Sequence, residues 1–190
     1  MEAQAPALPR MTVEEFFAFV ETQEQKYEFH DGEVLAMSGG LPKHARLEDR
    51  LASMLDRGLR GSECRSFGAS LHLSVKAAGS YVHPDKSIVC GPLDLDPAVP
   101  NGRGVLNARV VFEILSDSTE GYDRGGKFNL YQQVPTLEEY LLISQHQPEV
   151  QSFLRQPDST WNLAFFRGLD AVAKVRCLPL EIPLAELYEE

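Results

Sequence analysis

"ARVVFEILS", residues 108–116, is the stretch on which the reading of the fold turns. Val110 to Leu115 is a nearly continuous apolar run, which predicts a strand buried on both faces. Glu113 interrupts it. Strand alternation puts Val111, Glu113 and Leu115 on one face and Val110, Phe112 and Ile114 on the other. An ionised side chain at such a position has to leave water, and buried carboxylates are therefore paired, protonated or bound to metal. An ion pair with an arginine, or exposure at the end of the strand, would also answer that demand.

Outward from this strand, helical and extended patterns mix. "MTVEEFFAFVE" (11–21) has Thr12 followed three residues later by Glu15, a capping-box spacing, ahead of the apolar Phe16, Phe17 and Val20. "KYEFHDGEVLAM" (26–37) reads as a hairpin about Asp31-Gly32. In "PKHARLEDRLASMLDRGLR" (42–60), Leu47, Leu51, Met54, Leu55 and Leu59 recur at helical spacing, with Lys43, Arg46, Arg50, Arg57 and Arg60 mostly on other faces. "SLHLSVKA" (70–77) and "YVHPDKSIVCG" (81–91) predict strands, 91–107 a loop, and about 126–134 a helix that stops at Pro135. "EEYLLIS", "EVQSFLR" and "WNLAFFR" predict a closing run of strands. The expected class is α/β or α+β, with residues 1–11 a disordered arm and 12–190 one domain.

The 190 residues carry 43% apolar side chains, enough to bury a core. No apolar run approaches the ~20 residues that span a bilayer, and the N-terminus lacks a signal-peptide pattern. Three cysteines, Cys64, Cys90 and Cys177, are far apart and odd in number. Their spacing fits a reduced, cytoplasmic protein rather than a disulfide framework or a zinc site. A net charge of −10 argues against broad nucleic-acid binding through a basic surface, though not against a local basic cleft.

"EGYDRGGKFNLY" (120–131) reads at first as a P-loop, Gly121-x4-Gly126-Lys127. A P-loop begins directly after a strand and follows its lysine with Ser or Thr to hold magnesium. Here "SDSTE" intervenes after Leu115, and Phe128 stands where the hydroxyl belongs. Lys127 as a solvated helix residue is the simpler alternative. Asp85, beside Pro84 in "HPDKSIVC", starts or bulges a strand, and alone it reads as a turn residue. Together, Asp85 and Glu113 on neighbouring strands can hold a divalent magnesium. Such an ion activates water and stabilises charge on a phosphate oxygen, and a nearby lysine adds to that stabilisation. Arg124, Lys127 and Tyr131, at i, i+3 and i+7, are expected to share one helical face.

With these residues set out, "PD" followed by "FEILS", "YDRGGKFNLY" and "PTLEEYLLIS", and the early "YEFHDGE…H", the chain resembles the restriction endonuclease family called Uma-two, within the PD-(D/E)XK nuclease superfamily. The resemblance runs from about Thr12 to Leu187. It implies a mixed central β-sheet flanked by helices. It assigns Asp85 to the first acidic position and Glu113 to the second, both as metal ligands, with the Ile114 carbonyl assisting. The lysine usual two positions after the second acid would fall at Leu115, so the resemblance moves its role to Lys127. It also implies Glu33 as an auxiliary metal ligand, and Arg124, Tyr131 and His44 as substrate contacts.

Lys86 stands where relatives have an apolar residue, and Asp117 where they often have proline. Regular alternation would point Lys86 into core, and Asp117 either joins the metal site or softens its loop. The implied activity is a DNA endonuclease using Mg2+, with Mn2+ as a substitute. The alternative is a catalytically inactive nuclease fold kept for binding or assembly. Nuclease relatives often act as dimers, so a homodimer is implied; no segment of the sequence identifies its contact, for which the C-terminal strands with an exposed Trp161 or Phe166 are one candidate.

Overall fold

A computed structural model of the chain describes residues 8–37 and 39–189. Residues 1–7 of the expected arm lie outside the described residues. At the arm's end, Met11 donates its amide to the Gly32 carbonyl at 2.9 Å. Helix α1 (Val13–Val20) begins on the expected capping box, with Glu15 N on Thr12 Oγ1 at 3.2 Å and Thr12 N on Glu15 Oε2 at 2.8 Å. Strands β1 (Tyr27–His30) and β2 (Glu33–Ala36) form the hairpin. Its turn needs positive φ at both central residues, and Asp31 (46°) and Gly32 (94°) supply it.

Helix α2 (Pro42–Gly58) buries Leu47, Leu51, Met54 and Leu55, the stripe its spacing predicts. The strands β3 (Cys64–Gly68), β4 (His72–Val75), β5 (Ser80–Val82) and β6 (Lys86–Cys90) follow. The loop after them holds the two-residue β7 (Gly104–Val105) and leads into β8 (Val110–Leu115), buried throughout. Short helices α3 (Glu120–Tyr122) and α4 (Phe128–Tyr131) flank a π-helical turn, Asp123–Lys127, so the helix starts six residues before the expected Gly126. The chain closes with β9 (Glu139–Ser144), β10 (Glu149–Arg155), β11 (Trp161–Arg167), β12 (Val172–Val175), β13 (Leu180–Pro183) and α5 (Leu184–Leu187).

The strands divide into a six-stranded sheet, β11-β10-β9-β8-β6-β3, a five-stranded sheet, β2-β1-β5-β4-β7, and the hairpin β12-β13. The larger sheet is mixed, because β8 runs parallel to β9 while its other pairings are antiparallel. One of its faces, through Val110, Phe112 and Ile114, packs on α2, α5 and β12-β13. The other, through Val111 and Leu115, packs on Tyr131, Val134 and the residues Leu73, Val75 and Val82 of the smaller sheet. Glu113 shares this second face. The fold is thus α+β, a mixed sheet flanked by helices, as expected.

One expectation fails. Cys64 and Cys90 stand directly opposite each other in the β3–β6 ladder and are joined as a disulfide. Their 26-residue separation hides this pairing in the sequence; the register of two antiparallel strands creates it. Cys177 alone keeps a thiol. Among the described residues, no helix is long and apolar enough to cross a membrane. Thiol titration of the unfolded chain should give one reactive thiol before reduction and three after it; three thiols in the unreduced protein would refute the bridge.

Candidate active site

The site forms where the chain passes from one sheet to the other. Strand β5 ends at Val82, β6 begins at Lys86, and His83-Pro84-Asp85 crosses between them. Two reciprocal bonds tie this crossing to β8. Asp85 N donates to Glu113 Oε2 at 3.2 Å, and Ile114 N donates to Asp85 Oδ2 at 2.7 Å. Side chains thus continue a ladder that the crossing backbone has left, and they hold the two carboxylates beside each other.

Glu113 is 2% exposed. Its Oε1 accepts from Tyr131 Oη at 2.5 Å and lies 3.0 Å from Lys127 Nζ. Lys127 also reaches Glu28 Oε1 at 3.2 Å and Asp123 Oδ1 at 3.9 Å, and donates to the His83 carbonyl at 3.3 Å. The i→i+5 bonding of the π turn widens the helix, so residues four apart stay on its inner face. Asp123, Lys127 and Tyr131 therefore point inward together. Gly126 leaves room for the Tyr122 ring, since a Cβ there would fall 2.9 Å from ring carbons. Gly126, one of the two glycines that suggested a phosphate loop, thus helps this helix pack.

Charge is unbalanced in the cluster. Burial opposes ionisation of Glu28, yet Lys127, His30 and the His83 amide bring its pKa down to about 2. Burial also opposes the Lys127 ammonium, but Glu113, Glu28, Asp123 and Asp85 outweigh it and hold the lysine well above its ordinary value. Glu113 moves the other way: burial lifts it well above the carboxylate range, Asp85 and Asp123 add to the rise, and Lys127 and Tyr131 only offset part of it. Burial likewise raises Asp123. Lys127 faces these carboxylates together, and burial lifts Glu113 furthest above the carboxylate range.

A cleft of about 790 Å3 opens onto this cluster, lined by His44 and Glu48 of α2, by Asp85, Glu113, Asp123 and Lys127, and by Ser116 to Thr119. His44 Nε2 sits 3.2 Å from Asp85 Oδ2. The bond to Asp85 raises His44 above the ordinary imidazole value; burial opposes this, and the Asp85 and Glu48 charges and the Ile114 backbone assist it.

Residues 13–185 match the profile of the Uma2 family, described as "Putative restriction endonuclease". The chain belongs to the Uma2 family. Similar chains include the "Uncharacterized protein slr1290" of Synechocystis sp., 33% identical over 190 residues and covering 99% of this chain and 97% of that one. Another from the same organism, the "Uncharacterized protein sll1609", is 28% identical over 163 residues, 85% of this chain and 90% of the relative. The crystal structure of "a putative nuclease belonging to DUF820" from Anabaena variabilis shares the fold. Its TM-score is 0.73 at 16% identity, over 94% of this chain and 97% of that one.

In this Uma2 chain Asp85, Glu113, Lys127, Tyr131 and His44 come together as the sequence led one to expect. Arg124 does not. The π turn shifts the helical phase, and Arg124 points away to Glu120 (2.7 Å) and Gln151 (2.6 Å). Glu33 is also misplaced, since it stands at the exposed hairpin end and pairs with Arg10 at 3.3 Å. The hairpin contributes Glu28 instead. Alternation in "YEFH" separates Glu28 and His30 from Tyr27 and Phe29, a signal that β1 has a polar face, but nothing local says that this face is buried. Lys86 is kept from the core by Glu48, 2.8 Å away, and Asp117 at the cleft rim pairs with His146 at 2.9 Å.

Among the described residues, no group of three or more His, Cys, Asp or Glu side chains forms a ready metal cage. The donor set that converges is two carboxylates with backbone beside them.

Glu113 has its pKa raised by folding, so its ionisation weakens the fold. Its favourable contribution is full below the usual carboxylate pKa and is lost as pH rises through the raised value. Glu113→Gln should therefore melt higher than wild type at pH ~8, by roughly 2 °C or more, with the difference vanishing in acid. Lys127→Gln should lose about 3–5 kcal/mol by denaturant unfolding, because it strands the carboxylates around it. Equal destabilisation by the two changes would contradict this charge imbalance.

Proposed function

We propose that this Uma2 chain is a metal-dependent DNA endonuclease and that the Asp85–Glu113–Lys127 cluster is its catalytic centre. The observation that carries the reading is a buried lysine beside two bridged carboxylates at the floor of an open cleft. Repulsion among Asp85, Glu113 and Asp123 suits the donor set to a divalent cation, whose charge would offset the burial that opposes ionisation of Glu113. Asp85 and Glu113, with the Ile114 carbonyl, would hold Mg2+ or Mn2+. When bound, such an ion supplies water of lowered pKa and positive charge beside phosphate oxygens.

The chain's own groups do the rest. Tyr131 fixes Glu113 through Oε1, so that Oε2 stays on the Asp85 side. His44 holds Asp85 at the cleft wall, and that contact favours its protonated form. Lys127 stays protonated among its carboxylates, so it acts as a hydrogen-bond donor and a charge, not as a base. It steadies the attacking water or a phosphate oxygen. Water attacks phosphorus in line, the opposite P–O bond breaks, and no covalent protein intermediate forms.

DNA would meet the cleft beside Lys43 and Arg46, which are exposed on the first turns of α2. Farther along α2, Arg50 and Arg57 already pair with Glu189 and Glu186, and Arg60 just past its end pairs with Asp56. That engagement, with the net charge of −10, favours a second reading in which the fold binds or assembles without cutting.

Plasmid and branched DNA incubated with Mg2+ or Mn2+ should be cut by wild type. Glu113→Gln and Lys127→Gln should each lose roughly 100-fold or more of that rate, the scale on which a transition-state contact counts. Activity should also fall toward acid as Glu113 takes up its proton. Undiminished cutting by both variants would sink the assigned site. Absence of cutting, with no metal-induced rise in melting temperature, would favour the non-catalytic reading.

A further inference from the structure

The six-stranded sheet has two edges, and they are built differently. At one edge β3 has five residues, and Arg65 turns its guanidinium back onto the Ser62 and Cys64 carbonyls at 2.7 and 2.8 Å. A charged, self-bonded edge of this kind resists further strand pairing. The other edge, β11, has seven residues and no such guard.

The β10–β11 ladder fixes which of its backbone groups are used. Gln156 N bonds Thr160 O and Gly168 N bonds Pro148 O, in register with the Leu154↔Asn162 and Ser152↔Ala164 pairs. The even-numbered residues of β11 therefore spend their backbone groups on β10. Trp161, Leu163, Phe165 and Arg167 turn theirs outward, and among the described residues those groups have no partner.

Three of these four positions carry apolar side chains. Leu163 is 42% and Phe165 46% exposed, while Trp161, expected as the exposed anchor, packs on Phe128. Phe166, the other expected anchor, packs against the α2 side of the sheet. Charge does not oppose a contact there. Residues 159–169 contain no acidic side chain in a chain of net charge −10, and Arg167 is neutralised by Glu149 at 2.5 Å. Two copies can therefore approach along this strand without bringing acidic side chains of the strand together.

We propose that β11 is an isologous dimer contact, pairing antiparallel with β11 of a second copy to make one continuous sheet across a two-fold axis. With the axis at Ala164, Leu163 falls opposite the partner's Phe165, and the outward groups of both strands find each other. The contact is self-complementary, as a two-fold requires.

Sedimentation velocity on the full chain, from low to high micromolar concentration, tests this. The expected mass is twice the 21.2 kDa chain. Phe165→Lys and Leu163→Lys, both at exposed positions, should weaken the dimer by roughly tenfold or more, since each sets an unpaired charge against an apolar side chain across the axis. Ser66→Lys, on the opposite edge, should leave it unchanged. Hydrogen exchange of wild type supplies a readout that no variant can spoil: amides 161, 163, 165 and 167 should slow as concentration rises. A wild-type monomer at every concentration, or a dimer that Ser66→Lys breaks and the β11 variants do not, would overturn the proposal.

Discussion

The Lys127 ammonium, buried among Glu28, Glu113 and Asp123, is the constraint from which the rest of this structure follows. An unpaired charge in that interior would be prohibitive, so each partner has to be delivered from a different element: β1, β8 and the π turn itself. The cluster therefore pins the small sheet, the large sheet and the 120–131 helix to one another at a single point. Removing the lysine leaves a knot of like charges, and removing one carboxylate does not. An apolar plug of similar volume would hold the same elements together at lower cost.

Two backbone devices make the cluster geometrically feasible. The sheet-to-sheet crossing at His83–Asp85 frees backbone groups that would otherwise be committed to a ladder, and Asp85 and Glu113 take over the bonding on either side. The π turn sets Asp123, Lys127 and Tyr131 on a common inner face while sending Arg124 to the surface. Both devices sit beside the cleft, where irregular backbone re-aims side chains.

Much of this was legible in the chain. Thr12 and Glu15 announced α1, Asp31-Gly32 the hairpin, and the leucine stripe α2, because each signal depends on atoms within a few residues of one another. Glu113 was legible for the opposite reason: a carboxylate in an apolar strand violates the local pattern and demands a partner. Glu28 was not, since its burial comes from the packing of a distant helix against β1. The Arg124 placement failed because sequence spacing assumes a regular α-helical phase.

Sequence alone determined the order and type of the main elements, the family, and the presence of an out-of-place acid, since these rest on short-range periodicity and on the cost of burying charge. Only the tertiary structure decided which carboxylates surround Lys127, that Cys64 faces Cys90, and which sheet edge stays bare. Those are matters of register and of contacts between residues far apart in the chain. They are set by how strands align and sheets stack, and no local stretch of sequence encodes that by itself.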